Sequence, residues 1–221
     1  DSSPPDKFTA SKHGDFPARY LGRYDEAVAY ADDHLGSFID WLKAIGLYDD
    51  ALLVISADHG ESFTHRYGGH AGPLLIDDLI HIPLIIKEPN QSNRKRVDVL
   101  AEQIDIMPTI LDIAGISIQG TVEGRSLKPA IRGERMDGPV FAMNFQQSNR
   151  FGELHTGSVA MIDEYWKYVH YRGKHRYPEM PKLEDGLYDL RKDPGEMFNR
   201  TAINPQMAAK MRTAIDEELR R

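Results

Sequence analysis

At 221 residues, with 41% hydrophobic and 28% charged residues, the chain has enough apolar material for one large domain or a domain with a small appendage. Its formal net charge of -7 argues against nucleic acid or an anionic membrane as the main partner. The absence of cysteine excludes disulfides, thiolate zinc sites and cysteine nucleophiles within these residues, and no apolar run is long enough to span a bilayer.

The opening, Asp1 followed by "SSPPDKFTASKHGDFP", is polar, rich in Pro and Ser, and has neither an initiator Met nor the apolar core of a signal peptide. Compartment is left open by these features. From Tyr20 the apolar residues Leu21, Tyr24, Val28, Ala31, Leu35, Phe38, Leu42 and Ile45 recur in steps of three and four, which predicts one face of a long helix. Gly46 follows as its C-cap. "ALLVIS" (51–56) is short, β-branched and apolar on both faces, the pattern of a central parallel strand covered on both sides. "HIPLIIK" (81–87) reads as a second buried strand, and the basic run Arg94-Lys95-Arg96 as a solvated loop. "EQIDIMPTILDIAG" predicts a short helix with Asp105 as N-cap, Pro108 in its first turn and Gly115 at its end. "GRSLKPAIRG" reads as a turn with a stub of helix.

After Met136 the texture changes. "PVFAMN", "SVAMID", "WKYVHYR" and "GLYDLR" are short strand candidates with no long helix between them, so an antiparallel sheet is expected. "NPQMAAKMRTAIDEEL" closes the chain as a helix capped by Asn204, with Pro205 first and Ala208, Met211, Ile215 and Leu219 on its inner face. The fold class read from this order is α/β. The domains expected are residues 1–135, part of an α/β sheet domain, and 136–221, a small α+β subdomain.

The chemistry concentrates in "SADHGESFTHRYGGH" (56–70). Ligands of open α/β sheets bind beyond the carboxyl ends of strands, where Asp58 and His59 emerge from "ALLVIS". Asp supplies a hard anionic oxygen and His a borderline nitrogen, so the pair suits a divalent ion. His70 lies among glycines that allow close approach, and could bind metal or hydrogen-bond an anionic oxygen. On spacing alone the same residues serve equally as a capped turn, since two ligands do not make a site. His65 reads as solvated beside Arg66, His81 as packing or capping, and His34 as partly exposed on the long helix. His13, His155, His170 and His175 show no partner pattern. Asp77 and Asp78 read as a helix end, and Tyr165, Trp166, Tyr168 and Tyr171 as packing on a strand.

"LYDDALLVISADHGES", "GGHAGPLLIDDLIHIPLIIKEP", "EQIDIMPTILDIAGI", "EGRSLKPAIRG" and "GLYDLRKDPGEMFN" occur in this order. Together they resemble the C-terminal half of a sulfatase of the alkaline-phosphatase-like superfamily. The resemblance implies a sandwiched, mostly parallel sheet, present in part, with a small C-terminal antiparallel sheet and a packed helix. It implies metal-dependent hydrolysis of sulfate esters, with Asp58 and His59 as metal ligands and His70 contacting the substrate's anionic or leaving oxygen. Asp189, Asp193 and Glu196 match a structural signature and are not expected to be catalytic. Many arylsulfatases carry Asp-Asn where this chain has Asp58-His59, and the nitrogen ligand moves the preference from calcium toward manganese or zinc. Asp-His also occurs in branches that act on phosphodiesters, phosphonates and phosphoethanolamine, which are the alternative substrates; a non-catalytic binding or scaffold domain is the other alternative.

The same resemblance implies a formylglycine nucleophile, made within a Cys/Ser-x-Pro-x-Arg motif, and early aspartate ligands upstream of these residues. Ser3-Pro4 has no arginine at the required place. The chain is therefore expected to lack the nucleophile segment and to be inactive alone. The partners implied are a sulfate or phosphate ester, small molecule or glycan, and no nucleic acid. A homo-oligomer through an exposed sheet edge is also expected.

Overall fold

The computed structural model describes residues 16–64, 67–70, 72–118, 120–148, 154–174 and 183–220, so the readings for Ser3, His13, His65 and His175 lie outside it. The chain divides into two compact units. One holds Asp1–His70 with His81–Asn93, the other Ala71–Ile80 with Arg94–Arg221. Among the described residues, no helix is long and apolar enough to cross a membrane.

The first unit begins with α1 (Phe16–Ala44). Its end is the one the sequence implies. Gly46, at φ 73, donates its N–H to Lys43 O at 3.1 Å, and Leu47 N–H reaches back to Leu42 O at 2.9 Å. This double closure is a Schellman end, which needs a left-handed residue where Gly46 stands. The apolar face is less covered than its periodicity implies. Leu42 is buried, whereas Leu21, Val28, Phe38, Trp41 and Ile45 are exposed.

β1 (Leu53–Ser56) and β4 (Leu84–Lys87) form one ladder, and β2 (Ser62–Thr64) and β3 (Tyr67–Gly69) form another. The expectation of a central parallel strand is corrected for this pair. β1 and β4 run antiparallel, with Leu53 opposite Lys87 and Ser56 opposite Leu84. A parallel pair is usually joined by a crossover helix packed on the sheet; between these strands come a small hairpin and a helix of only 4 residues. Nor is the pair sealed on both faces: Leu53, Val54 and Ile55 are half-buried and Ile85 is exposed. Lys87 fixes the ladder end, donating to the carbonyls of Tyr48, Asp49 and Ala51 with its ammonium 4.7 Å from the Tyr48 ring centroid.

The second unit contains α2 (Asp77–Ile80), a 3-10 turn (Gln103–Asp105) leading into α3 (Ile106–Ile113), and α4 (Lys128–Ile131). Asp105 is not the side-chain cap of α3 that its position implies. Fully buried, it accepts Glu102 N–H at 3.0 Å and Arg125 N–H at 2.8 Å. Thr109 completes the junction, donating to Asp105 O at 2.6 Å and accepting Leu127 N–H at 2.8 Å. The "GRSL" segment is thereby bonded onto the start of α3.

β5 (Val140–Ser148), β6 (Leu154–Asp163), β7 (Trp166–Arg172) and β8 (Gly186–Asp189) form the antiparallel meander the sequence implies, in the order β5-β6-β7-β8. α5 (Pro205–Glu218) covers one face, where Ala208, Met211 and Ile215 pack with Val159, Met161, Tyr168 and Leu187. Asn204 stands at the N-cap position without a side-chain cap bond. On the opposite face Leu75 packs with Ala160 and Val169. Ser158 Oγ donates to Pro73 O, and Asn144 donates to Gly72 O at 2.7 Å. β6 is thus enclosed on both sides. The architecture is α/β with a small antiparallel sheet and a packed helix.

Two polar clusters organise this unit. Lys167 is fully buried, and its ammonium meets Asp77 Oδ1 at 2.9 Å and Glu196 Oε1. Glu196 Oε2 also accepts Asp77 N–H at 3.0 Å. Burial pushes the Glu196 carboxyl above its ordinary range, against the downward pull of Lys167. Asp193 accepts the N–H groups of Met197 at 3.0 Å and Phe198 at 2.8 Å, so the "DPGE" carboxylates hold backbone. On the α5 face, His170 Nδ1 lies 3.0 Å from both oxygens of Asp185 and 2.7 Å from Arg212 Nη1. Arg212 donates to Asp185 Oδ2 at 3.2 Å. Burial would raise the Asp185 carboxyl, but bonds from His170, Tyr171 N–H and Tyr168 outweigh it and bring it down to about 2. Burial and the Asp185 bond push Tyr168 up to about 12.

Lys167→Met strands two carboxylates around an apolar side chain; urea denaturation is expected to show a loss of about 3–5 kcal/mol, with much of it restored when Asp77→Asn and Glu196→Gln are added. The Asp185 carboxyl, held below its ordinary value of 3.8, contributes stability in full above that value and loses it as pH falls toward about 2. Urea midpoints taken from about pH 5 to about pH 2 should show an acid limb worth roughly 2 kcal/mol that Asp185→Asn flattens.

Candidate functional site

β1 ends at Ser56, and the chain turns out of its ladder at Asp58 and His59. Asp58 Oδ1 accepts His59 N–H at 2.9 Å, the local bond of a tight turn. His59 Nδ1–H donates to Gly60 O at 2.8 Å. A carbonyl only accepts, so Nδ1 carries a proton, and in the neutral ring the lone pair falls on Nε2. Nε2 lies 3.7 Å from Asp58 Oδ2, and both side chains are open to solvent.

The hairpin that follows brings the more distant histidine to the same place. Its register sets Ser62 opposite Gly69, Phe63 opposite Gly68 and Thr64 opposite Tyr67. Continued by one step, it puts Glu61 opposite His70, close enough for a cross-strand side-chain bond. His70 Nδ1–H donates to Glu61 Oε2 at 2.7 Å. The His70 ring stacks on that of His59, with centroids 4.3 Å apart and planes at 23°. Tyr24 of α1 meets Phe63 edge-on at 5.0 Å and seats the hairpin on the helix.

Asp58, His59 and His70 therefore gather in one solvent-open cluster. Glu61, to which the sequence assigned no role, joins them. Its signal was its place in the hairpin register, which three-residue strands flanked by glycines do not advertise. His34 sits exposed on α1, its Nδ1 bonded to Tyr30 O at 2.9 Å, and His81 is exposed before β4.

The donor chemistry fits a dication in part. Ion–ligand distances of about 2.0–2.2 Å allow an oxygen and a nitrogen 3.7 Å apart to share one ion. Among the described residues, no group of three or more His, Asp or Glu side chains is arranged to hold a metal. What these residues supply is a pair of donors.

Residues 2–116 match the family model described as Sulfatase, and residues 67–221 the model described as N-sulphoglucosamine sulphohydrolase, C-terminal. The chain is 30% identical over 219 residues to arylsulfatase K of Xenopus laevis, covering 95% of this chain and 39% of that protein. It is 31% identical over 212 residues to the multifunctional alkaline phosphatase superfamily protein PehA of Trinickia caryophylli, covering 89% of this chain and 39% of that one. Among solved structures, the phosphonate monoester hydrolase of Agrobacterium radiobacter matches with a TM-score of 0.68 and 27% identity, covering 90% of this chain and 40% of that one. The chain thus spans less than half the length of these relatives. With models of the family matched along nearly all of its residues, this chain belongs to the sulfatase family, enzymes of the alkaline-phosphatase-like fold.

Proposed function

We propose that the protein hydrolyses sulfate esters of a small molecule or glycan, and that this chain supplies the late part of the active site. Asp58 and His59 hold one divalent cation, with manganese or zinc favoured over calcium by the nitrogen donor. His70 contacts an anionic or leaving oxygen of the substrate. The observation that carries this reading is the pairing of His59 Nε2 with Asp58 Oδ2 at 3.7 Å, beside the stacked His70 ring. When bound, the cation neutralises the tetrahedral anion and stabilises charge developing on its oxygens. The chain's own residues do the rest. Gly60 O fixes the His59 tautomer, Asp58 supplies a solvent-open carboxylate, and His70 presents its outer ring edge to the substrate.

A second reading rests on the Asp-His pair and on the similarity to a phosphonate monoester hydrolase at 27% identity: the preferred substrate is a phosphonate or phosphodiester. The full-length protein should be assayed on aryl sulfate, phosphate monoester, phosphodiester and phosphonate. The expected result is the highest kcat/KM on the sulfate, and a fall of at least about 100-fold in Asp58→Ala, the upper end of what losing an outer-shell partner costs. Calorimetric titration with manganese should show affinity falling in Asp58→Ala and in His59→Ala. A higher kcat/KM on phosphonate or phosphodiester would install the second reading, and no hydrolysis of any of the four would overturn both.

A further inference from the structure

We infer that Glu61 is a positioning residue: it holds the His70 ring through Nδ1 and so makes Nε2 the nitrogen that meets the substrate. This rests on the reading of His70 as a substrate contact, and it adds to that reading the residue that decides which edge of the ring does the work.

A carboxylate accepts hydrogen bonds and donates none. A 2.7 Å contact from its Oε2 to His70 Nδ1 therefore places a proton on Nδ1. The neutral ring then keeps its lone pair at Nε2, the edge remote from Glu61. The His59 ring stacked at 4.3 Å limits tilting, so the two neighbours fix both the plane of the ring and its direction within that plane.

The burial pattern makes hairpin stability a poor explanation for this glutamate. Its side chain is 10% exposed, while the His70 side chain it serves is 49% exposed. Its second oxygen, Oε1, is buried with no hydrogen-bond partner among the described residues. Burying an unpaired carboxylate oxygen costs stability, and an apolar residue of similar size would avoid that cost. The residue also stands opposite His70 one step beyond the last paired position, so the hairpin register brings the acceptor toward Nδ1.

The test separates positioning from packing. In the protein labelled with nitrogen-15 in its histidine rings, the ring nitrogen shifts of His70, assigned by their loss in His70→Ala, report the tautomer. At about pH 9, well above the ordinary imidazole pKa of about 6.5, the wild type should show the Nδ1–H form. Glu61→Gln keeps a carbonyl acceptor at the same place and should keep that form. Glu61→Ala should move most of the proton to Nε2. In the full-length protein, Glu61→Ala should lower kcat by about tenfold or more, the range of an orienting partner's loss, with KM within about twofold, and Glu61→Gln should restore most of the rate. An Nδ1–H ring in Glu61→Ala would overturn the inference. So would an equal fall in rate for Glu61→Gln and Glu61→Ala with the tautomer unchanged in both. If the wild type cleaves none of the esters, the proposed function fails, and the tautomer shifts still decide the role of Glu61.

Discussion

A fully buried ammonium governs the larger unit. Lys167 sits in the middle of a sheet, where a charge without partners would cost several kcal/mol. Asp77, at the start of α2, and Glu196, after β8, must both reach it. Three segments far apart in sequence are tied at one point, and the bond from Asp77 N–H to Glu196 closes the set. This explains why residues 71–80 pack with the C-terminal sheet although β4 follows them in the chain. It also gives a structural role to the carboxylates of the signature "LYDLRKDPGE". They hold turns and one cation, and the sheet face then closes over Leu75 and Val169.

The candidate site is built differently. Asp58, His59 and His70 are open to water, and apart from the buried Glu61 side chain their order comes from backbone. One strand end delivers Asp58 and His59, and a short hairpin returns His70 to them. Carbonyl and carboxylate acceptors then choose the ring tautomers. The result is two stacked imidazoles whose Nδ1 positions are engaged, leaving Nε2 as the outward edge of each ring. Such an arrangement is preorganised while three of its side chains, Asp58, His59 and His70, stay open to solvent.

Much of this was legible in the sequence. The 3.6-residue period marks α1 and α5, and the cap at Gly46 marks where the first of them stops. The run of short strands after Met136 announces the meander. Asp58, His59 and His70 stand out because ionisable groups follow an apolar strand. What escaped was set by long-range pairing. An apolar run such as "ALLVIS" looks alike in parallel and antiparallel ladders, so the direction of β4 against it is not written there. Lys167 looks like a solvent-facing charge in "WKYVHYR", because nothing nearby names partners 29 residues later or 90 residues earlier. Asp105 looks like the cap of α3 because Asp often is one, while its side chain accepts the N–H groups of Glu102 and of the distant Arg125. His170 shows no pattern because Asp185 and Arg212 come from other elements.

The register of the small hairpin has a wider consequence. Glu61 and His70 stand at its base, and their alignment depends on strict alternation along Ser62–Thr64 and Tyr67–Gly69. Inserting or deleting one residue within either strand would turn its side chains to the opposite face. The meeting of Glu61 with His70 is therefore a property of strand phase: neither side chain can be moved without moving the paired residues that continue from it.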